Sequence, residues 1–147
     1  MFAPINHLKP RLARGDTTLG LWVTLDSPSI TEIAVTLGLD WVVIDTEHGC
    51  LDYKEVVEHI RVTRSSTTTP LVRIAETSPG IIKRVLDLGA QGIIVPQVNT
   101  AQDVATAVRY AKYPPEGIRG VGGDRAVGRG DGRAAADLHD PAKLSGL

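Results

Sequence analysis

Short apolar runs alternate with amphipathic segments along most of this chain. Four of the runs lack the polar alternation of half-exposed strands, and each precedes a segment with helical spacing. The predicted strands cover residues 20–25, 41–44, 70–75 and 92–98. The predicted helices cover residues 6–15, 29–37, 52–64, 78–88 and 100–113. Continuous apolar strands that alternate with helices are typical of a parallel sheet in an α/β fold.

The predicted strands begin near residues 20, 41, 70 and 92, so they recur every 21 to 29 residues, which suits a repeated βα unit. A complete (β/α)8 TIM barrel takes about 250 residues. We therefore predict that this chain of 147 residues has the fold of the TIM-barrel family, with about the first four βα units present. A flavodoxin-like open sheet is the alternative, and it would carry helices on both faces of the sheet.

Composition and charge argue against several classes of protein. The chain has 16 basic and 17 acidic residues, and the basic residues form no stripe, so we expect no nucleic-acid partner. The apolar runs are far shorter than the roughly 20 residues of a membrane helix, so we expect no membrane partner. The single cysteine, Cys50, excludes an internal disulfide and fits a reducing compartment. With no signal pattern at its start, the chain is expected to be cytoplasmic.

Polar residues that can carry chemistry follow the second predicted strand. Asp45, Glu47 and His48 come directly after the apolar run at 41–44, and the carboxyl ends of parallel strands are where such folds place their active sites. An imidazole can serve as a general base near neutral pH, and Asp45 could orient the His48 ring and stabilise its charged form. The alternative is a solvated loop histidine beside two surface acids.

Two further charged residues qualify this picture. Glu47 lies two positions after Asp45, so both would point the same way and could serve a divalent metal directly or through water. A surface acid pair is equally compatible with the sequence. Arg73 lies inside the predicted strand at 70–75 and needs an anion there, because burying a guanidinium unpaired is costly. A substrate carboxylate or developing enolate oxygen would meet that need, as would a structural pair with Asp45 or Glu47.

Polar or aromatic residues on the other two strands are candidates for substrate binding. Trp22 in the first strand could wall a pocket, although a tryptophan in the core is the alternative. Gln97 and Asn99 end the fourth predicted strand at the same edge of the sheet, and could bind polar substrate atoms or cap the loop. The glycine-rich stretch at 116–123 lacks the spacing of dinucleotide and P-loop motifs, so it predicts no phosphate site.

Taken together, these motifs resemble the class II pyruvate aldolases of the HpcH/HpaI family, which include 2-keto-3-deoxy sugar-acid aldolases and dihydroxyheptenedioate aldolases. The matching stretches are GLW at 20–22, DWVVIDTEHG at 40–49, PLVRI at 70–74, IKRVLDLGAQGIIVPQV at 82–98 and RYAKYPPEGIRGVG at 109–122. They follow the family's order and spacing, and the similarity fades after GGDRAVGRG. We therefore predict the N-terminal half of an aldolase-type barrel over residues 1–128 and an irregular tail over 129–147.

The resemblance implies an aldehyde-lyase that reversibly cleaves a 2-keto-4-hydroxy acid to pyruvate and an aldehyde. His48 resembles the family's catalytic base, Asp45 its partner in a dyad, and Arg73 the arginine that stabilises the transition state. Asp87 resembles an aspartate that raises the basicity of the catalytic histidine. Because Asp87 ends a helix on the side opposite the strand mouths, we expect it to reach a His48 only across a subunit contact. That expectation fits the family's homo-oligomeric, usually hexameric, habit.

The resemblance also implies a divalent metal (Mg, Mn or Co) that polarises the keto oxygen. The family's metal ligands lie in segments resembling Q-I-E and G-P-A-D-L, and neither segment occurs in this sequence. Glu47, through a water, is the remaining possible contact, so metal binding by this chain is in doubt. Two hypotheses follow: an aldolase-family protein impaired by truncation, or a non-catalytic half barrel that pairs with itself or with another chain.

Overall fold

The computed structural model describes residues 6–122, which form a parallel four-stranded sheet with helices between the strands. In chain order the elements are α1 Leu8–Ala13, β1 Gly20–Val23, α2 Pro28–Thr36, β2 Trp41–Asp45, α3 Tyr53–Thr63, β3 Thr69–Arg73, α4 Pro79–Asp87, β4 Gly92–Ile94 and α5 Ala101–Ala111. The α/β prediction is confirmed. Within this described part, no helix has the length and apolar character needed to cross a bilayer. The predicted tail at 129–147 lies outside the described residues.

The fourth strand is shorter than the sequence pattern predicts. It was expected to run over 92–98, but β4 ends at Ile94. Pro96 has no N–H to donate to a strand ladder, and Gln97 takes a left-handed backbone conformation with φ 53°. Gln97 therefore lies in a turn beyond the strand, and the prediction that it ends the strand is wrong.

The strands lie in the order β1-β2-β3-β4, and every neighbouring pair is parallel. Because crossovers between parallel strands are almost always right-handed, a sequential order places all the connecting helices on one side of the sheet. A doubly wound sheet instead reverses its strand order at a switch point. The observed order is that of a barrel segment.

The helix ends follow from local sequence chemistry. Asp52 and Glu55 form a reciprocal capping box at the start of α3, and Thr100 and Asp103 form another at the start of α5. Helix α4 ends before Gly89, whose φ of 105° is a conformation that a residue with a side chain rarely adopts. These signals set where α3 and α5 begin and where α4 ends.

The core lies between the sheet and the helices that cover it. Its fully buried aliphatic residues come from the strands and from the inward faces of α3 and α4; they include Val23, Ile44, Val56, Val72, Ile74, Ile82 and Val85. The ladder within this core pairs Asp45 of β2 directly with Arg73 of β3. Packing of the core therefore fixes two charged residues side by side at the carboxyl ends of the strands, an edge called the rim below.

Candidate functional site

The carboxylate of Asp45 links several groups at the rim. Its Oδ1 accepts hydrogen bonds from Arg73 Nε at 2.9 Å and from the backbone N–H groups of Glu47 at 3.0 Å and His48 at 3.2 Å. Its Oδ2 accepts from Trp22 Nε1 at 2.9 Å and from Arg73 Nη2. Burial raises the pKa of this carboxyl, but the hydrogen bonds outweigh that effect and hold the Asp45 pKa well below its ordinary value. The group is therefore an anion that orients its neighbours.

Arg73, at the end of β3, is held on two sides. Its guanidinium makes a bidentate pair with Asp45, and its Nη1 lies 3.3 Å from Glu47 Oε2. The hydrogen bond to Asp45, with the charges of Asp45 and Glu47, raises the pKa of Arg73. The structural pairing considered from the sequence is thus present. Even if each contact takes one N–H, two of the five guanidinium N–H groups remain for a ligand.

His48 lies beside a different carboxylate from the one predicted. Its Nε2 is 3.7 Å from Glu47 Oε1, and its side chain is 72% exposed. Asp45 instead accepts the backbone N–H of His48, because the chain after β2 turns back over the carboxylate, as short acidic side chains favour. Glu47, whose side chain is 14% exposed, lies between the His48 imidazole and the Arg73 guanidinium. The structure therefore places Glu47, Arg73 and His48 together on one side of the rim.

Trp22 lies at the rim and not in the core. It is 44% exposed, its indole N–H is bonded to Asp45, and the Arg73 guanidinium carbon lies 5.0 Å from its ring centroid. This position gives the charged groups an apolar wall on the β1 side. Thr46 adds a contact that the sequence did not indicate, since its hydroxyl donates to the Arg73 backbone carbonyl at 2.7 Å.

Gln97 lies in a separate cleft, which is also at the carboxyl ends of the strands. The cleft has a volume of about 270 Å³ and is lined by Ala75, Glu76, Thr77, Pro96, Gln97, Asp103 and Thr106. Sequence reasoning missed this cleft because its walls come from three separate segments, the loops after β3 and β4 and the start of α5. The available signal was that the segments after the third and fourth strands must meet at the rim.

Asp87 does not join the rim cluster. It is the last residue of α4, and its Oδ1 accepts a hydrogen bond from Arg119 Nη2 at 2.7 Å. Arg119 is buried, and its guanidinium carbon lies 4.7 Å from the ring centroid of Tyr113. Arg119 was missed because it lies in a glycine-rich stretch that the sequence favours as an exposed loop.

The described residues do not fit the expected metal by themselves. Among residues 6–122, no three or more His, Cys, Asp or Glu side chains are grouped to hold a metal ion. Both oxygens of Asp45 already accept hydrogen bonds, and Glu47 lies between two cationic or ionisable partners. The geometry of the described residues therefore supports no chemical step through a metal.

Comparison with known proteins matches residues 18–138 to the family model described as HpcH/HpaI aldolase/citrate lyase. A hydroxypyruvate/pyruvate aldolase from Roseobacter denitrificans is 40% identical over 141 residues, which are 96% of this chain and 54% of the relative. A 4-hydroxy-2-oxovalerate aldolase from Rhodococcus jostii is 42% identical over 127 residues, which are 86% of this chain and 49% of the relative. The chain thus spans about half the length of these curated relatives.

Solved structures of the same family have a fold similar to that of this chain. An HpcH/HpaI aldolase from Desulfitobacterium hafniense DCB-2 has a TM-score of 0.81 and 32% identity, covering 93% of this chain and 53% of that structure. An HpcH/HpaI aldolase/citrate lyase family protein from Burkholderia cenocepacia J2315 has a TM-score of 0.77 and 39% identity, and the match covers 83% of this chain and 51% of that structure. The matched part of this chain corresponds to about half of each neighbour.

Proposed function

The chain belongs to the HpcH/HpaI aldolase/citrate lyase family, and on that premise we propose that it serves the reversible aldol cleavage of a 2-keto-4-hydroxy acid to pyruvate and an aldehyde. One observation carries the proposal: an arginine and a histidine meet the same glutamate at the mouth of the sheet. Relatives named as pyruvate and 4-hydroxy-2-oxovalerate aldolases support this class of substrate. Because the match spans about half of those relatives, the activity is part of the proposal.

Arg73 binds the negative charge of the substrate in this proposal. Its bidentate pair with Asp45 fixes the guanidinium before any substrate arrives, so little reorganisation is needed when charge develops. The N–H groups left over can donate to the keto-acid carboxylate or to the enolate oxygen that forms on cleavage. Trp22 limits water on the β1 side of that charge, which strengthens the interaction.

His48 moves the proton. As a neutral imidazole it takes the proton of the C4 hydroxyl, the C3–C4 bond breaks, and the aldehyde leaves. The electron pair of that bond becomes the enolate of pyruvate, and His48 returns its proton to C3. The Glu47 carboxylate, 3.7 Å from Nε2, stabilises the imidazolium between these two transfers. Exposure of the His48 ring allows it to reach a substrate in the rim.

The remaining parts of the proposal come from the family resemblance. Asp87 supports a His48 of another subunit, Gln97 contacts polar atoms of the substrate, and the protein is a cytoplasmic homo-oligomer. The divalent metal (Mg, Mn or Co) is also predicted from the resemblance alone, since residues 6–122 by themselves form no site for it. The assay below tests the metal, and a measurement of assembly tests the homo-oligomer.

The test is cleavage of a 2-keto-3-deoxy sugar acid by the 147-residue chain, with pyruvate measured by lactate dehydrogenase. The assay is run with Mg²⁺, with Co²⁺ and with EDTA. We expect turnover that His48→Ala abolishes, whereas His7→Ala, at an exposed histidine near α1, leaves it unchanged. Loss of turnover in EDTA would show that a metal takes part. Turnover that survives His48→Ala would refute the assigned base, and a folded chain without turnover would favour the non-catalytic half barrel.

A further inference from the structure

A histidine lies in the middle of the buried face of α3. The buried residues of this helix are Val56, His59, Ile60 and Thr63, which recur with the three- and four-residue spacing of one helical face. His59 is fully buried, whereas histidine in general is intermediate between core and surface residues in its burial. It lies in the helical layer and not at the rim, so the candidate site does not account for its burial.

One nitrogen of the His59 ring is hydrogen-bonded and the other is not. Nδ1 lies 2.7 Å from the hydroxyl oxygen of Thr31, a fully buried residue of α2. Nε2 is buried and has no hydrogen-bond partner among residues 6–122. A neutral imidazole has one donor and one acceptor nitrogen, so either tautomer can form the bond to the Thr31 hydroxyl. An imidazolium has two N–H donors, and within the described fold the second would have no acceptor.

The charges around His59 do not compensate for its burial. Burial lowers the pKa of His59, and the negative charges of Asp26, before α2, and Glu55, one turn earlier on α3, raise it by less. Strand β1 has no charged residue, and the charged residues of β2 and β3 are Asp45 and Arg73, which pair with each other. The other charged residues of α2 and α3 lie at or near the surface; they are Glu32, Lys54, Glu58 and Arg61.

Movement of α2 is the smallest rearrangement that would bring water to the ring. Within the described fold, α2 packs chiefly on α3 and on β1. Its residue Thr31 holds Nδ1 of His59, and its residue Ala34 is fully buried. Separation of α2 from α3 would therefore let water solvate the imidazole while the pairing of β2 with β3 stays unbroken.

We infer that the contact between α2 and α3 is acid-sensitive: protonation of His59 separates the two helices while β2 and β3 stay paired. In the closed fold, with the helices in contact, the ring is neutral. When the helices separate, the ring is solvated and takes up a proton at its ordinary pKa of about 6.5. Separation therefore becomes more favourable as the pH falls. This contact lies within residues 6–122 and does not depend on the proposed reaction.

The lowered pKa of His59 sets the direction and the range of the effect. Its contribution to stability is complete above about pH 6.5 and is lost as pH falls toward the pKa of the closed fold. Below pH 6.5, each further unit multiplies the equilibrium constant for opening by up to about ten. Asp45 does not interfere in this range, because its pKa is lowered and its contribution changes only below about pH 4.

The first test follows the histidine ring protons of the 147-residue chain by NMR as the pH is lowered. We expect His7, which is exposed, to titrate near pH 6.5, and His59 to titrate at a distinctly lower pH. This measurement needs no substitution, so it tests the inference even if a variant fails to fold. A His59 ring that titrates together with His7 would overturn the inference.

The second test compares urea unfolding at pH 7.5 and pH 5. In the parent chain His59 should raise the equilibrium constant for unfolding by up to about 30-fold over this interval, the limit for a ring that takes up no proton in the closed fold. His59→Leu and His59→Asn should each reduce the observed rise at least fivefold. His7→Asn is the matched control and should behave as the parent. An equal rise in the parent and in both His59 variants would contradict the inference.

The third test locates the opening by amide hydrogen exchange at pH 7 and pH 5.5, corrected for the intrinsic exchange rates. We expect protection in α2 to fall at least fivefold more than protection in β2 and β3, and this difference to disappear in His59→Leu. An equal loss of protection in α2 and in β3 would show that acid weakens the whole fold and not the contact between α2 and α3, and would overturn the inference.

Discussion

The two middle strands and the two outer strands of the sheet differ in burial and in what they carry. Four of the five residues of β2 and three of the five in β3 are buried, against one of four in β1 and none of three in β4. The middle strands end in the interlocked charges of Asp45 and Arg73. Exposed residues lie near the carboxyl ends of the outer strands: Trp22 is the residue before the last of β1, and Gln97 lies in the turn beyond β4.

This contrast shows that the middle strands hold charged groups in fixed positions, whereas the outer strands do not. A strand paired on both sides has its register fixed, and a slip of one residue would turn every side chain to the other face. The groups that must hold a charge in one position therefore come from β2 and β3. The outer strands supply a pocket wall, and in the described sheet each of them is paired on one side only.

The largest expected effect is on catalysis by the middle strands. Arg73→Lys should lower kcat/KM for keto-acid cleavage by about 100- to 1000-fold, because an ammonium cannot keep the bidentate pair with Asp45 while it donates to the enolate. Arg61→Lys on α3, an exposed arginine paired with Glu58, is the control. A loss of less than threefold would show that the Arg73 fork is not used in the reaction.

The next effect separates the two regions by stability. Ile44→Ala in β2 should lower the free energy of unfolding by about 3 kcal/mol, because Ile44 is fully buried and its removal leaves a cavity. Leu25→Ala, at a residue 60% exposed just after β1, should change it by less than about 0.5 kcal/mol. Urea unfolding measures both values. Equal losses would mean that the outer strand is packed as firmly as the middle one.

A third effect depends on pH through Asp45. Its pKa is lowered in the folded chain, so its contribution to stability is full above the unfolded value near 3.9 and disappears as pH falls through the folded value. Asp45→Asn should therefore cost about 2 kcal/mol at pH 7, and the difference from the parent should shrink below about pH 4. Urea unfolding at several pH values checks this, with Asp16→Asn as the control. A difference that stays constant down to pH 2 would contradict the assigned ion pair.

The smallest expected effect tests whether His48 serves structure at all. His48→Gln should change the free energy of unfolding by less than about 0.5 kcal/mol, because the side chain is 72% exposed. Thermal and urea unfolding measure the change. A loss above 1 kcal/mol would assign His48 to the packing of the turn and weaken its role as a free base.

The sequence predicted the strands well where burial leaves a continuous apolar run. Register, which pairs Asp45 with Arg73, needs the folded sheet and could be anticipated only as one of two possible partners for the arginine. The predicted fourth strand was too long, because Pro96 interrupts the hydrogen-bond ladder without interrupting the apolar pattern of the sequence. Local composition therefore located the elements more reliably than it located their ends.

Side-chain positions at the candidate site were less predictable. The approach of Glu47, and not Asp45, to the His48 ring depends on how a four-residue turn folds over one carboxylate. Trp22 lies in an apolar run that is typical of a core strand, yet an outer strand leaves its ring exposed. Burial of Arg119 against Tyr113 and Asp87 arises from contacts between distant segments, which a glycine-rich sequence does not indicate.

The most direct measurement of the central claim is exchange of the pyruvate methyl protons with deuterium, followed by NMR in the presence of the 147-residue chain and Mg²⁺ or Co²⁺. Exchange requires one group to remove a methyl proton and another to stabilise the enolate, with no aldehyde needed. The account predicts exchange that is lost both in His48→Gln and in Arg73→Lys and is retained in Arg61→Lys. Exchange at the parent rate in either of the first two variants would contradict it.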